Sequence, residues 1–324
     1  MCDDTTEAEN ERHLTSLLLG RRQFGMGAGA AAAVLLTGCG PSSPPAAAPG
    51  QGPPVPVPEE PAPERQGTDE TTGRRVTIST PDGAAEAFFV APKSGRHPGV
   101  LMWPDVAGLR DAYEKMATRL AGDGHAVVVV NQYYRSTKLP VLESFAEWRT
   151  EAGKQRVAPM REALTPESIA RDGAAFVAWL DQQPEVDTGR RLAAVGYCMG
   201  GPFAVRTAAA APSRVGAIAS FHGGGLATQE PTSPHLLFAK LQAAALICIA
   251  QNDDEREPEA KATLRAAADA AKMFAEIEVY PAQHGWCTLD SPVYDAAQAE
   301  RAWARMLALF RAHLAVAPSA PLAP

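Results

Sequence analysis

Short apolar runs recur through most of the sequence, and longer amphipathic stretches separate them. One such stretch, RDAYEKMATRLAGDG, places Tyr113, Met116 and Leu120 on one face of a helix. Strands that alternate with helices predict a mostly parallel sheet with helices on both faces, the α/β class. The apolar runs are GVLMW, HAVVVVN, RLAAVGY, VGAIASFHG, AALICIA and AEIEVYP.

The predicted domain extends over residues 72–316. Two strand-like segments, RRVTIST and EAFFVAP, precede the alternation and meet at the turn Pro81-Asp82-Gly83. Thr165 and Pro166 mark the start of a helix as its N-cap and first residue. Residues 135–164 give no clear pattern, and we expect a loop with short helices there. Residues 317–324 are expected to be a disordered tail.

Residues 1–39 carry the features of an export signal. Arg21 and Arg22 precede an apolar run of 15 residues, FGMGAGAAAAVLLTG, which is shorter than the ~20 residues of a membrane-spanning helix. The paired arginines resemble a twin-arginine signal, although an acidic segment precedes them. The run ends in Leu36-Thr37-Gly38-Cys39, which resembles a lipobox. We expect an exported chain that a lipid on Cys39 anchors to a membrane of the cell envelope.

Residues 40–71 are rich in proline and alanine. The stretch PSSPPAAAPGQGPPVPVPEEPAPERQG has no pattern that builds a packed core. We expect a disordered tether between the anchor and the domain.

Charge and cysteine content exclude several classes of protein. The formal net charge is −7 and no cluster of Lys or Arg stands out, which argues against a nucleic-acid partner. The five cysteines are scattered and form no C-x-x-C pair, so neither a zinc site nor a disulfide framework is expected. No metal or organic cofactor is implied, and the oligomeric state stays open.

The segment AVGYCMGGPF places Cys198 between Gly196 and Gly200, after a strand and before a helix. This is the G-x-nucleophile-x-G arrangement of a strained turn, where side chains at the two glycines would collide with adjacent backbone. The following helix directs its positive end at the thiol and favours the thiolate. The backbone N–H of Met199 becomes one oxyanion donor. The alternative is that Cys198 is a small buried core residue.

An acid and a histidine follow in the order that such a turn requires. Asp253 and Asp254 come directly after AALICIA, and His284 comes after AEIEVYP. The predicted roles are Cys198 as nucleophile, His284 as general base and one aspartate as its orienting acid. His222 precedes the acid in the chain, so we interpret it as a structural or rim residue.

Four segments, GYCMGG, WPDVAGLR, NQYYR and YPAQHGW, together resemble the dienelactone hydrolase family (carboxymethylenebutenolidases) of the α/β-hydrolase superfamily. The resemblance covers nearly all of 75–315. It implies an α/β-hydrolase fold and hydrolysis of a small-molecule ester or lactone through a Cys-His-Asp triad and a covalent acyl-enzyme. In the family a proline follows the acid by four residues, and Pro258 therefore favours Asp254 over Asp253.

The resemblance also implies roles around the triad. Asp105 matches a family glutamate that contacts the resting thiol, and Val106 supplies the second oxyanion N–H. Arg135 matches an arginine that binds a substrate carboxylate. Tyr133 and Trp286 are expected to wall the pocket.

Thr288 stands where the family has a second carboxylate-binding arginine. A threonine brings no charge, so two substrate classes stay open: a carboxylate-bearing lactone, or a neutral substrate of a general carboxylesterase or thioesterase. A third interpretation is a non-catalytic, tethered binding lipoprotein on the same fold.

Overall fold

The computed structural model describes residues 4–24 and 70–315, with side chains described over 5–16 in the first segment. Its strands are β1 (Thr71–Thr80), β2 (Gly83–Pro92), β3 (Gly99–Trp103), β4 (Ala126–Val130), β5 (Leu192–Tyr197), β6 (Val215–Phe221), β7 (Ala244–Ala250) and β8 (Ala275–Tyr280). Its helices are α1 (Asp4–Phe24), α2 (Asp111–Gly122), α3 (Phe145–Trp148), α4 (Glu151–Glu162), α5 (Pro166–Leu180), α6 (Gly200–Ala210), α7 (Gln251–Arg256), α8 (Ala260–Ala270) and α9 (Ala296–His313), with a 3₁₀ helix at Pro234–Lys240.

The strands form one sheet in the order β1-β2-β4-β3-β5-β6-β7-β8. β1 and β2 pair antiparallel, as do β2 and β4, and all the other pairs are parallel. Every residue of β3, β4, β5 and β6 is buried. A sheet covered on both faces needs apolar side chains on both, which is why these strands read as continuous apolar runs. The prediction of a mostly parallel sheet covered by helices on both faces is confirmed.

The core has two layers, one on each face of the sheet. Leu101 and Trp103 of β3 belong to one apolar cluster, and Val100 and Met102 belong to the other. This alternation follows from the period of two along a strand. Thr165 caps α5 as predicted, because its side chain accepts the Ser168 N–H at 3.1 Å.

The unpatterned segment 135–164 contains the short helices α3 and α4, as expected. Two other elements differ from the sequence expectations. β1 begins at Thr71, inside the predicted tether. Residues 4–24, expected to be part of an export signal, form α1, whose first turns up to Leu14 share one compact unit with the sheet. Cys39, most of the tether and the tail 317–324 lie outside the described residues. None of the described helices is both long and apolar enough to cross a membrane.

Candidate active site

Cys198 lies on a sharp turn between β5 and α6. Its backbone φ is 53°, in the left-handed region that residues other than glycine rarely adopt. A Cβ at Gly196 would lie 1.8 Å from the Gly200 carbonyl oxygen, and one at Gly200 would lie 2.4 Å from the Trp103 carbonyl oxygen. The two glycines therefore permit the close backbone contacts that the sequence argument required.

Strand β6 supports this turn from one side. The Cys198 N–H donates to the Phe221 carbonyl oxygen at 3.0 Å and to His222 Nδ1 at 3.2 Å. The Gly201 N–H donates to the Cys198 carbonyl oxygen at 3.0 Å, which closes the turn into α6. Only 1% of Cys198 is exposed. The turn thus holds the thiol at the N-terminal end of α6, where the helix dipole favours a thiolate.

His284 and Asp253 meet beside this turn. His284 Nδ1 lies 2.7 Å from Asp253 Oδ2, and the His284 N–H donates to Asn252 Oδ1 at 2.8 Å. The Cys198 sulfur interacts with the His284 ring. Cys198, Asp253 and His284 all follow the carboxyl ends of parallel strands, which is where ligand sites form in open α/β sheets.

The structure places Asp253, and not Asp254, on His284. Both carboxylate oxygens of Asp254 accept from Lys261 Nζ, at 2.7 and 2.6 Å. The two aspartates are consecutive in α7, so their side chains point about 100° apart and only one can face the histidine. The expectation based on Pro258 is therefore corrected to Asp253.

The charges at the site favour a protonated His284. Burial alone would lower its pKa, but the Asp253 carboxylate and the Cys198 sulfur outweigh burial and raise the pKa to about 10. Burial would raise the pKa of Asp253, but His284 and Arg256 lower it. Nε2 of His284 is buried and makes no directed hydrogen bond among the described residues, so it can exchange a proton with reacting atoms.

This pair predicts a pH-dependent stability. The pKa of His284 rises from 6.5 to about 10 on folding, so its stabilisation is complete below pH 6.5 and is lost as the pH rises through about 10. The lowered pKa of Asp253 adds stabilisation that is present above its ordinary value of 3.8 and is lost in stronger acid. Denaturant unfolding between pH 6 and 10 should show wild type losing stability more steeply than Asp253→Asn. Equal slopes would contradict the coupling.

His222 is a second histidine at the thiol that sequence reasoning interpreted as a rim or structural residue. It is 1% exposed, has a positive φ of 42°, and its ring lies 4.8 Å from that of His284. Burial lowers its pKa, and so does the neighbouring His284. Because Nδ1 accepts the Cys198 N–H, a neutral His222 carries its proton on Nε2. Its position directly after a buried strand was a signal that could have identified it.

Tyr133 links the two segments that carry the predicted oxyanion donors. Its hydroxyl donates to the Val106 carbonyl oxygen at 2.9 Å and contacts Met199 Sδ at 3.3 Å. Tyr133 is 1% exposed. It therefore holds Val106 and Met199 together, a positioning role that differs from the pocket wall expected of it.

Asp105 does not have a free carboxylate for the thiol. Arg110 binds its two oxygens at 2.8 and 2.9 Å, and the Ala107 N–H donates to the first of them at 2.9 Å. Arg110 also binds both oxygens of Asp290, each at 2.8 Å, on the loop that follows His284. The expected contact with the resting thiol is corrected: Asp105 instead forms a buried ion pair that joins the β3 loop to the His284 loop.

Arg135 is also engaged elsewhere. Its two terminal nitrogens bind the buried Asp172 at 2.7 Å each, and its Nε and a terminal nitrogen bind Asp82 at 3.1 and 2.5 Å. Two carboxylates satisfy this guanidinium, so it is not available to a substrate carboxylate as expected. The partners that sequester it are distant in the chain, which is why the sequence pattern did not exclude it.

The remaining predicted residues lie behind the site. Trp286 is fully buried, stacks on Tyr280 with ring centroids 5.3 Å apart, and packs edge-on against His222. It supports His222 and does not wall an open pocket. Thr288 is buried beside Tyr113 and adds no charge. No group of three or more potential metal ligands occurs in the described ranges 4–24 and 70–315.

Comparison with solved structures identifies the fold class of this chain. The chain aligns with m3DLH at a TM-score of 0.63 and 22% identity, covering 76% of this chain and 99% of that one. It aligns with the dienelactone hydrolase-like promiscuous phosphotriesterase P91 from metagenomic libraries at a TM-score of 0.59 and 24% identity, covering 75% and 99%. These likenesses establish an α/β-hydrolase fold.

The sequence profile of the dienelactone hydrolase family matches residues 85–314. The chain belongs to this family and is a hydrolase that acts on ester or lactone bonds. Carboxymethylenebutenolidase of Rhodococcus opacus is 26% identical over 227 residues, which cover 69% of this chain and 84% of that protein.

Proposed function

We propose that Cys198, His284 and Asp253 form a catalytic triad that hydrolyses a small ester or lactone through a covalent acyl-enzyme. The observation that supports this most is the 2.7 Å contact between His284 and Asp253 beside a cysteine on a strained turn. A catalytic triad requires a histidine between a carboxylate and a nucleophile, and His284 lies between the Asp253 carboxylate and a thiol at a helix N-terminus.

The reaction has two stages. In the first, the Cys198 thiolate attacks the carbonyl carbon, and the tetrahedral intermediate expels the ring or leaving oxygen, which takes a proton from His284 Nε2. In the second, neutral His284 removes a proton from water, the hydroxide attacks the thioester, and the acid leaves with regeneration of the thiolate. Asp253 keeps the imidazole oriented through Nδ1 and stabilises its protonated form.

The negative oxygen of each tetrahedral intermediate needs hydrogen-bond donors. The backbone N–H groups of Met199 and Val106 are the proposed pair, and Tyr133 holds their segments together. Met199 precedes α6 directly, so the positive end of this helix adds to the stabilisation.

Two substrate classes remain, and they differ in charge. A carboxymethylenebutenolide, the substrate implied by the name of the Rhodococcus relative, is an unsaturated lactone that carries a carboxylate. The second candidate is a neutral ester or thioester, which the engaged Arg135 and the uncharged Thr288 favour. We propose hydrolysis of the carboxylate-bearing lactone as the first candidate, because the family match covers most of the domain.

The experiment compares a carboxymethylenebutenolide with a neutral aryl ester, using the purified chain. Both should be hydrolysed, and acid quenching during turnover should leave an acyl group on the peptide that contains Cys198. Mass spectrometry that finds the acyl group on another residue would overturn the assignment of the nucleophile. If neither compound is cleaved, the proposed activity is wrong.

We also propose that the chain is exported and lipid-anchored at the cell envelope. Support comes from the sequence alone: Arg21 and Arg22, the apolar run and the lipobox-like Leu36-Thr37-Gly38-Cys39. Mass spectrometry of the native protein should find Cys39 as the first residue, carrying lipid. A native chain that still starts at Met1 would overturn the proposal.

A further inference from the structure

The first turns of α1 are buried although their sequence is polar. Thr6, Glu7 and Asn10 are 0%, 6% and 2% exposed. Residues at these spacings lie on one side of a helix. A polar helix face becomes buried only against partners that satisfy its hydrogen bonds, so the surface beneath this face must be polar too.

That surface is made by the loops that carry the proposed acid and base. Asn10 Nδ2 donates to the His284 carbonyl oxygen at 3.0 Å. Asn252 accepts the His284 N–H and donates its own amide to Glu9 at 2.9 Å. Helix α1 therefore touches the backbone of the proposed base directly and through one intervening side chain.

Arg256 makes a similar link to the acid. It binds Asp253 Oδ1 at 2.5 Å and donates to Thr6 Oγ1 at 2.9 Å. One face of α1 thus spans both Asp253 and His284. Because both loops lie at the carboxyl edge of the sheet, the helix packs against the loops that carry the proposed acid and base.

Glu7 belongs to the same buried side of the helix and binds an arginine there. Its carboxylate lies 2.5 Å from Arg149 Nε, and Glu11 lies 2.8 Å from a terminal nitrogen of Arg149. Oε1 of Glu7 is buried and has no hydrogen-bond partner among the described residues. Arg149 ends α3, whose first N–H, on Phe145, is fixed to Asp290 in the His284 loop at 2.9 Å. Arg149 is therefore connected through α3 to the loop that carries His284.

The structure assigns to α1 the role of a tethered ligand of the catalytic site, in which Glu7 binds Arg149 in the place of a substrate carboxylate. This inference rests on the proposed function, since it names the substrate group that Arg149 receives. Arg110 and Arg135 are each held by two aspartates of the domain. Arg149 differs, because the carboxylates that bind it in the described structure both come from α1.

Because α1 is part of the same chain, its carboxylates bind Arg149 intramolecularly, and a carboxylate ligand must compete with them. Ion pairs that are partly exposed contribute little each, and an isolated polar helix is marginally stable. An acidic substrate can therefore displace Glu7 and take its place on Arg149.

The experiment uses the full chain with two sets of variants. Glu7→Gln with Glu11→Gln keeps the size of both side chains but removes their charges, and we expect kcat/KM for the carboxymethylenebutenolide to rise at least threefold. Arg149→Met should lower kcat/KM for the carboxymethylenebutenolide at least tenfold more than it lowers kcat/KM for a neutral aryl ester. The control Glu151→Gln removes an exposed carboxylate near Arg149 that does not pair with it, and it should change neither.

Unchanged kinetics in the double variant, or an equal loss for both substrates in Arg149→Met, would overturn the inference. Hydrogen exchange gives a readout that needs no catalysis. Glutarate should lower the protection of the amides of residues 5–14 in wild type but cause no further loss in Arg149→Met, with sodium chloride at equal ionic strength as the control. Release of the helix by glutarate without any hydrolysis would refute the proposed function alone. Hydrolysis without release would refute the tethered ligand alone.

Discussion

Replacing Cys198 with alanine is expected to lower kcat/KM for either substrate by about 10⁴-fold or more, because loss of the nucleophile leaves only binding and oxyanion stabilisation. Alanine must adopt the same positive φ of 53°, so the turn stays equally strained and the fold is retained. Initial rates at substrate concentrations below KM measure the effect, and the melting temperature of each variant checks its fold.

Cys248→Ala is the matched control for loss of a buried thiol. Cys248 lies within β7 and is fully buried, but it belongs to the apolar cluster and not to the triad. We expect its activity within threefold of wild type. A Cys198→Ala enzyme that keeps a tenth of the wild-type activity would remove the covalent mechanism from consideration.

Replacing Asp253 with asparagine is expected to lower kcat/KM by about 10²- to 10⁴-fold. Asparagine keeps the size of the side chain but removes the charge that raises the pKa of His284. It can also present its NH₂ group to Nδ1 and so select the wrong tautomer. A neutral His284 no longer forms an ion pair with the thiolate, so both the thiolate and the proton donor are lost at neutral pH.

Asp254→Asn provides a control at the next position. Asp254 pairs with Lys261, where the lysine is 32% and the aspartate 19% exposed, and an ion pair of this kind contributes little to stability. We expect less than a threefold change in kcat/KM. A larger loss in Asp254→Asn than in Asp253→Asn would restore the assignment that Pro258 suggested.

The elements that the sequence predicted well are those that depend on local pattern. The turn at Cys198 could be predicted because its steric requirement falls on Gly196 and Gly200, two residues on either side. The choice between Asp253 and Asp254 could not be made from strand order, because it depends on the phase of α7 and on Lys261, seven residues further along the chain. The family spacing, a proline four residues after the acid, pointed to Asp254 through Pro258 and did not reveal which aspartate faces His284.

The mistaken roles share a different cause. Asp105 and Arg135 were assigned from matching segments, but partners far away in the chain decide what their charges do. Arg110 reaches Asp290 over 180 residues, and Arg135 reaches Asp172 over 37 residues. Such pairs leave no periodic signal. The docking of α1 was missed for the same reason, since its polar face resembles a solvated segment until its partners are known.

The contact between Asn10 and His284 joins residues 274 positions apart. Asn10 leaves the ribosome long before His284 does, so the segment that carries Asn10 has no partner there while the domain is being made. Helix α1 is therefore made before the domain but docks after it, because its partners lie on the loops that follow β7 and β8. If the chain is cut before Cys39, the cleavage also removes α1. Glu7 then occupies Arg149 only in the interval between folding and cleavage.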